Sequence, residues 1–307
     1  MSLKHIHNTL ISGRSTVITS IILVFVMRLY VQPDLSDIAF WATLLLHIGI
    51  SLTLLRINYL YTIIRSRTVL PSVLFLLMTT SSPMFYTEWK GSLAVAGTMI
   101  CMINLFSSYQ KPESQINALN IGLILTLCSF AWAPILYLFP LFWCGFYNFQ
   151  SLNFKTFFAS IIGIILVWLF VFVWSICNGG IQIFMNTISG FEGIFELHPL
   201  NWNLREWIVF SFVFVLVAIS GIKIFLSGIS EKIRTETYLK NLFLASICLV
   251  TAMIFQSEWD IWVLLVYLPI SFILSHFFTL STHKITSCTL IFFIIFFVGI
   301  YAWRVLL

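Results

Sequence analysis

Apolar positions in this chain follow neither the alternation of a half-buried strand nor the one-faced stripe of a soluble helix. They form continuous runs separated by short polar breaks, each run near the roughly 20 residues that a helix needs to cross a bilayer core. The runs predict about eleven transmembrane helices. The first spans Ser15 to Val31, and the rest cover 38–56, 69–87, 91–109, 116–134, 135–150, 156–177, 207–227, 241–257, 261–279 and 285–303. Ala133, Pro134 and Pro140 interrupt the stretch from Ile116 to Phe149. That stretch reads either as two short crossings or as one span followed by a re-entrant segment.

Between the seventh and eighth runs lies the longest polar break, 178–206. It opens on Asn178, Gly179 and Gly180, which end the preceding helix. It then places Ile181, Phe184, Met185, Ile188, Phe191, Ile194 and Phe195 near helical spacing, the pattern of a helix lying in the membrane interface. No sequence period, low-complexity tract or soluble insert divides the chain, so residues 1–307 read as one integral membrane domain.

Composition removes the soluble alternative. The 307 residues are 60% hydrophobic and only 9% charged, against the quarter or so that is usual in soluble domains. The mean hydropathy is +1.01. The first run follows Lys4 and Arg14, lacks a small-residue cleavage site and leads into further spans, so it reads as a signal anchor that is retained. Cys101, Cys128, Cys144, Cys177, Cys248 and Cys288 stand singly in apolar runs without a CxxC pair, as small core residues would.

Charge then orients the helices. With the N-terminus in the cytoplasm, the inner side receives Lys4, Arg14, Arg65, Arg67, Lys111, Lys155, Lys232, Arg234, Lys240 and Lys284, with Arg56 and Lys223 near inner helix ends. The outer side receives Lys90, Arg205 and Arg304, with Arg28 close by. Asp34, Asp37, Glu88, Glu192, Glu196, Glu206, Glu258 and Asp260 fall outside, and only Glu113, Glu231 and Glu236 inside. Placing the cations in loops on one face argues for membrane topology and against nucleic-acid binding.

The chemistry-bearing residues gather in the outer loops. Asp34, Asp37, Glu192, Glu196, His198, Arg205 and Asp260 are the candidate site: carboxylates and a histidine supply acid–base groups, and an arginine pairs with phosphate. The bland alternative is that loop residues are simply polar. Glu88-Trp89, Glu206-Trp207 and Glu258-Trp259 mark places where helices meet the headgroup level. Arg28 and Arg56, near the ends of their spans, read as side chains that snorkel to the interface. Arg56, Asn58, Arg65 and Arg67 form a basic inner corner suited to a lipid headgroup phosphate, or simply a positive-inside loop. His47 and His276 lack a histidine at i, i+3 or i+4, so no metal site and no cofactor is expected. No Asp or Glu falls at the centre of a span, which disfavours a proton-driven pump and leaves open a carrier for a neutral or lipid-like substrate.

The corner Arg56-Ile57-Asn58, with Arg65-Ser66-Arg67-Thr68-Val69-Leu70-Pro71 running into the apolar segment Ser72 to Phe85, resembles a family of uncharacterised multi-pass inner-membrane proteins from Bacteroides-type bacteria. The resemblance implies a bacterial inner membrane and carries no established activity over to this chain. The acidic outer face also resembles that of lipid-linked glycosyltransferases and polysaccharide polymerases or ligases, which act on polyprenyl-phosphate substrates at the outer leaflet. Those enzymes carry acidic residues in a long first outer loop, whereas the loop holding Asp34 and Asp37 is short.

The resulting expectation is a polytopic all-α bundle that handles a lipid-linked or amphiphilic envelope precursor at the outer leaflet. In an enzyme, one carboxylate would serve as general base on an acceptor hydroxyl while Arg205 pairs with the departing phosphate. The alternatives are a carrier or flippase, and a non-catalytic partner of envelope proteins. Expected partners are membrane lipids, a polyprenyl-phosphate-linked substrate or envelope proteins, and no nucleic acid.

Overall fold

A computed structural model of the chain describes residues 9–11, 13–31, 36–177, 181–189, 202–226, 232–255, 258–280 and 284–306. Among them there are twelve α-helices of nine residues or more and no strand. In chain order these are α1 (Arg14–Val31), α2 (Ile38–Tyr61), α3 (Leu70–Thr80), α4 (Trp89–Ser107), α5 (Gln115–Ser129), α6 (Leu138–Asn148), α7 (Phe154–Cys177), α8 (Ile181–Ser189), α9 (Leu204–Leu226), α10 (Ile233–Phe255), α11 (Trp259–Leu280) and α12 (Lys284–Leu306). Six of them, α2, α4, α7, α9, α11 and α12, are long and apolar enough to cross a membrane.

Two expected spans are interrupted. The segment predicted over 69–87 is the 11-residue helix α3 followed by a 3-10 turn, Pro83–Tyr86. Thr79, Thr80 and Ser81 turn their hydroxyls back onto carbonyls of the last helical turn, Leu76 O, Leu76 O and Met78 O. Pro83 then disfavours continued α geometry at Ser82. The stretch around Pro134 behaves in the same way: α5 ends at Ser129, a 3-10 turn covers Ala133–Tyr137, and α6 is 11 residues long.

The two interruptions repeat one local pattern. Each 3-10 turn carries Pro-x-x-Tyr, Pro83 to Tyr86 and Pro134 to Tyr137. Each returning helix ends one or two residues before an aromatic–Gln pair whose glutamine is left-handed, Tyr109-Gln110 (φ 54°) and Phe149-Gln150 (φ 56°). Both spacing and apolar content differ between the copies, so no period shows in the sequence.

The chain folds into two compact units. The first comprises Met1–Ser92, Pro199–Val250 and Trp259–Leu307. Its centre is α3 with α11: nearly all of α3 is buried, and 94% of the apolar window of α11 is enclosed by protein. α3 packs against α1, α2, α11 and α12, and α9 packs against α11, where Ser220 Oγ donates to Ile273 O at 3.0 Å. Helix ends sort into two groups in this unit. Thr235 at the start of α10 bonds Thr62 O beyond the end of α2, and Thr279 at the end of α11 bonds Thr68 just before α3. At the opposite ends, Tyr301 near the end of α12 donates to Met27 O near the end of α1, and the rings of Trp202 and Trp259 lie 5.7 Å apart beside the starts of α9 and α11.

The second unit comprises Leu93–His198 and Thr251–Glu258. Its α5 and α7 meet backbone to backbone: a Cβ added at Gly122 would lie 2.3 Å from Ser160 O, and one at Gly163 would lie 2.6 Å from Leu119 O. Glycine is the residue that permits such an approach. The loops after α4 and α6 are joined by Gln110 N donating to Phe149 O at 2.9 Å and Asn153 Nδ2 donating to Pro112 O. Asn153 also caps α7, accepting from Thr156 N at 2.8 Å. Of the helix expected from Ile181 to Phe195, α8 covers Ile181–Ser189, packing Phe184 on Trp168 and Phe172 and exposing Ile181, Met185 and Ile188; Phe191, Ile194 and Phe195 lie outside the described residues.

Two readings of individual side chains change. Only Cys101 and Cys128 are buried; Cys144, Cys177, Cys248 and Cys288 lie on the outside of their helices, so the thiols are not uniformly core residues. Arg28 does not snorkel: its side chain is fully buried.

Candidate functional site

α9 begins with the reciprocal half of a capping box. Glu206 Oε2 accepts from Asn203 N at 2.5 Å while Glu206 N donates to Asn203 O at 3.0 Å, which fixes the first turn of the helix. That turn forms one side of a cleft of about 540 Å³ in the first unit, lined by Pro83, Met84, Asn203, Leu204, Arg205, Glu206, Trp303 and Arg304. Three chain segments therefore build it: the 3-10 turn after α3, the start of α9 and the end of α12.

Two guanidiniums face this cleft, against one carboxylate. Arg205 lies over the ring of Trp303, with Cζ 5.2 Å from the ring centre, a geometry in which the aromatic face holds the cation without consuming its N–H donors. Arg304 donates from Nη1 to Ser81 O at 3.1 Å and to Ser82 Oγ. Such planar forks match phosphate or carboxylate oxygens. Pro83, Met84, Leu204 and Trp303 supply apolar walls.

Of the seven expected outer-site residues, Arg205 lines the cleft. Asp37 instead caps α2, accepting from Ala39 N at 2.9 Å. Asp260 lies half-buried in the first turn of α11 and is not among the cleft-lining residues. Asp34, Glu192, Glu196 and His198 lie outside the described residues. Asp37→Ala should lower stability by about 1 kcal/mol, the usual cost of losing a side-chain N-cap. Thermal unfolding in detergent would read that shift.

At the other group of helix ends, Arg56, Arg65 and Arg67 are exposed around the loop between α2 and α3. Asn58 does not join them: it is buried, accepts from Ile64 N at 3.0 Å and donates to Thr68 O, so it shapes the loop that carries the arginines. In the second unit, Glu258 accepts from Trp132 Nε1 at 2.5 Å.

Sequence reading missed a buried cluster in the first unit. Arg28 Nη2 donates to His47 Nδ1, Arg28 Nη1 donates to Thr43 Oγ1 at 3.2 Å, and Arg28 Cζ lies 4.6 Å from the centre of the Tyr86 ring. Ser92 Oγ donates to Glu88 O at 2.9 Å, so its contact with His47 Nε2 at 3.0 Å is made by the ring N–H. His47 is thus a neutral Nε2–H imidazole with both nitrogens engaged. The only available signal was an arginine and a histidine one to three turns inside adjacent apolar runs.

These features define a class, an all-α membrane protein with an arginine-lined cleft at one group of its helix ends. No family model, curated protein or solved structure matches the chain.

Proposed function

We propose that this is a multi-pass protein of a bacterial inner membrane, with about eleven crossings and a cytoplasmic N-terminus, that binds a lipid-linked or amphiphilic envelope precursor at the outer leaflet. The observation that carries the reading is that Arg205 and Arg304 line one cleft together with apolar Pro83, Met84, Leu204 and Trp303, against the single carboxylate of Glu206 and the amide of Asn203. One end of the ligand is then an anionic phosphate and the other a hydrocarbon chain. The sorting of helix ends within the first unit supports alternating crossings, and the exposed Arg56, Arg65 and Arg67 suit contact with headgroups of the opposite leaflet. If the bound precursor is transferred rather than only held, Glu206 is the carboxylate beside it.

Polyprenyl phosphate and the matching polyprenol, compared by native mass spectrometry of the detergent-purified protein, test this reading. The phosphate should bind at least about tenfold more tightly, because two charge-assisted contacts depend on it. Arg205→Ala and Arg304→Ala should each remove about tenfold of that preference. Equal binding of phosphate and alcohol contradicts the reading.

The repeated interruption of crossings at Pro83 and Pro134 favours a second reading, a carrier that moves the same amphiphile between leaflets, because broken helices commonly accompany substrate passage. Translocation of a fluorescent polyprenyl phosphate in proteoliposomes separates it from a stationary outer-leaflet site.

A further inference from the structure

The cluster around Arg28 and the cleft share one piece of chain, the turn from Thr80 to Tyr86. Breaking α3 there leaves backbone carbonyls without helical partners, and in an apolar interior each must find a donor. Tyr86 OH donates to Thr80 O at 2.7 Å, Arg304 donates to Ser81 O, and Thr43 Oγ1 donates to Tyr86 O. Arg28 in turn donates to Thr43 and stacks on the Tyr86 ring. Tyr301, one helical turn before Arg304, bonds the carbonyl of Met27, the neighbour of Arg28. The contacts form a closed circuit from α1 through the turn to α12 and back.

We propose that Arg28 is a positioning residue for the cleft: held by His47 and Thr43, it fixes the Thr80–Tyr86 turn from α1, as Arg304 does from α12, and so sets the Pro83–Met84 wall. Among the described residues no carboxylate pairs with Arg28 and its Nε has no hydrogen-bond partner. A fully buried guanidinium in such surroundings is expensive to keep, and a hydrophobic residue of similar volume would fill the space. The ligand consequence rests on the cleft being the amphiphile site; the effect on the wall does not.

The test separates the two. On a background lacking the six native cysteines, Met84→Cys reports the wall and Asn203→Cys, at the start of α9, serves as the control; maleimide labelling rates are measured on purified protein that elutes as a single species. Arg28→Lys, which keeps charge but loses the fork, and Thr43→Val, which removes the bridging hydroxyl at nearly constant volume, should each speed labelling at position 84 by about fivefold, the factor that one ordinary hydrogen bond represents. Labelling at position 203 should stay the same. Rates at position 84 within about twofold of the parent in Thr43→Val, or in both variants, overturn the positioning role. If only the lysine variant fails to fold, the Thr43→Val result decides. Should wild-type protein fail to prefer polyprenyl phosphate, the ligand reading falls, while the labelling rates still decide the role of Arg28.

Discussion

Gly163→Leu should destabilise the second unit by about 3 kcal/mol, more than any single surface change in the chain. The atoms that crowd position 163 are backbone, Leu119 O at 2.6 Å, Gly122 Cα at 3.0 Å and Leu123 N at 3.0 Å, and none can swing aside as a long side chain would. To admit even a Cβ, α5 and α7 must separate where they touch. Separation also pulls Ser160 away from Gly122 and from Trp143 Nε1, which donates to Ser160 Oγ at 3.0 Å, so α6 loses an anchor as well. Gly122→Leu meets the same backbone from the other side and should behave alike. Gly49→Ala is the control: that site has nothing within 4 Å of an added Cβ, and alanine there gains about 1 kcal/mol of helix propensity. Thermal unfolding in detergent should place the leucine variants well below wild type and Gly49→Ala at or above it. Equal unfolding of Gly163→Leu and wild type would show that α5 and α7 do not touch.

The second large effect is expected at Arg28. Arg28→Ala removes the donor to Thr43 and to His47 and leaves a void in a site with no solvent access, so a loss of about 3 kcal/mol follows from unsatisfied polar groups plus cavity. His47→Ala should cost about 2 kcal/mol by stripping Arg28 of its firmest acceptor and freeing Ser92. Because the two residues share one hydrogen bond, the double variant should cost clearly less than the sum, and a double-mutant cycle measures the shortfall. Strict additivity would mean that the two side chains do not interact.

Much of the fold was readable because single-element physics governs it. Apolar run length located the helices, and the spacing of Ile181, Phe184, Met185 and Ile188 identified α8. The Pro-rich segments were recognised as irregular, although the helix-plus-3-10 form of 69–87 was not, because Thr79 to Ser82 look like ordinary small residues in an apolar run until their hydroxyls are seen turned back on the helix. α10 starts earlier than its apolar run, at Ile233, since Glu236 and Lys240 form an ion pair at 2.6 Å that lets a charged turn remain helical.

The site was legible only in part. Arg205 was singled out by its outer loop, but its companions come from positions about 100 residues away in either direction, and no local pattern announces that the end of α12 meets the turn after α3. Arg304 was counted only as an exception to the charge rule. Asp37 was read as chemistry, whereas an Asp one residue before an apolar run is also the ordinary signal of a helix N-cap. Arg28 and His47 are separated by 19 positions on different helices, so their hydrogen bond is invisible to periodicity.

The placement of the cleft on the outer face is tested most directly by labelling intact cells with a membrane-impermeant maleimide, using single cysteines on the background without native ones. Asn203→Cys and Asp260→Cys should label without permeabilisation, and Lys111→Cys and Lys232→Cys only after it. The reverse pattern would put the arginine cleft in the cytoplasm and contradict an outer-leaflet site; labelling of Lys232→Cys but not Asp260→Cys would mean that 133–150 does not complete a crossing of its own, which contradicts the alternating path and turns every later helix over.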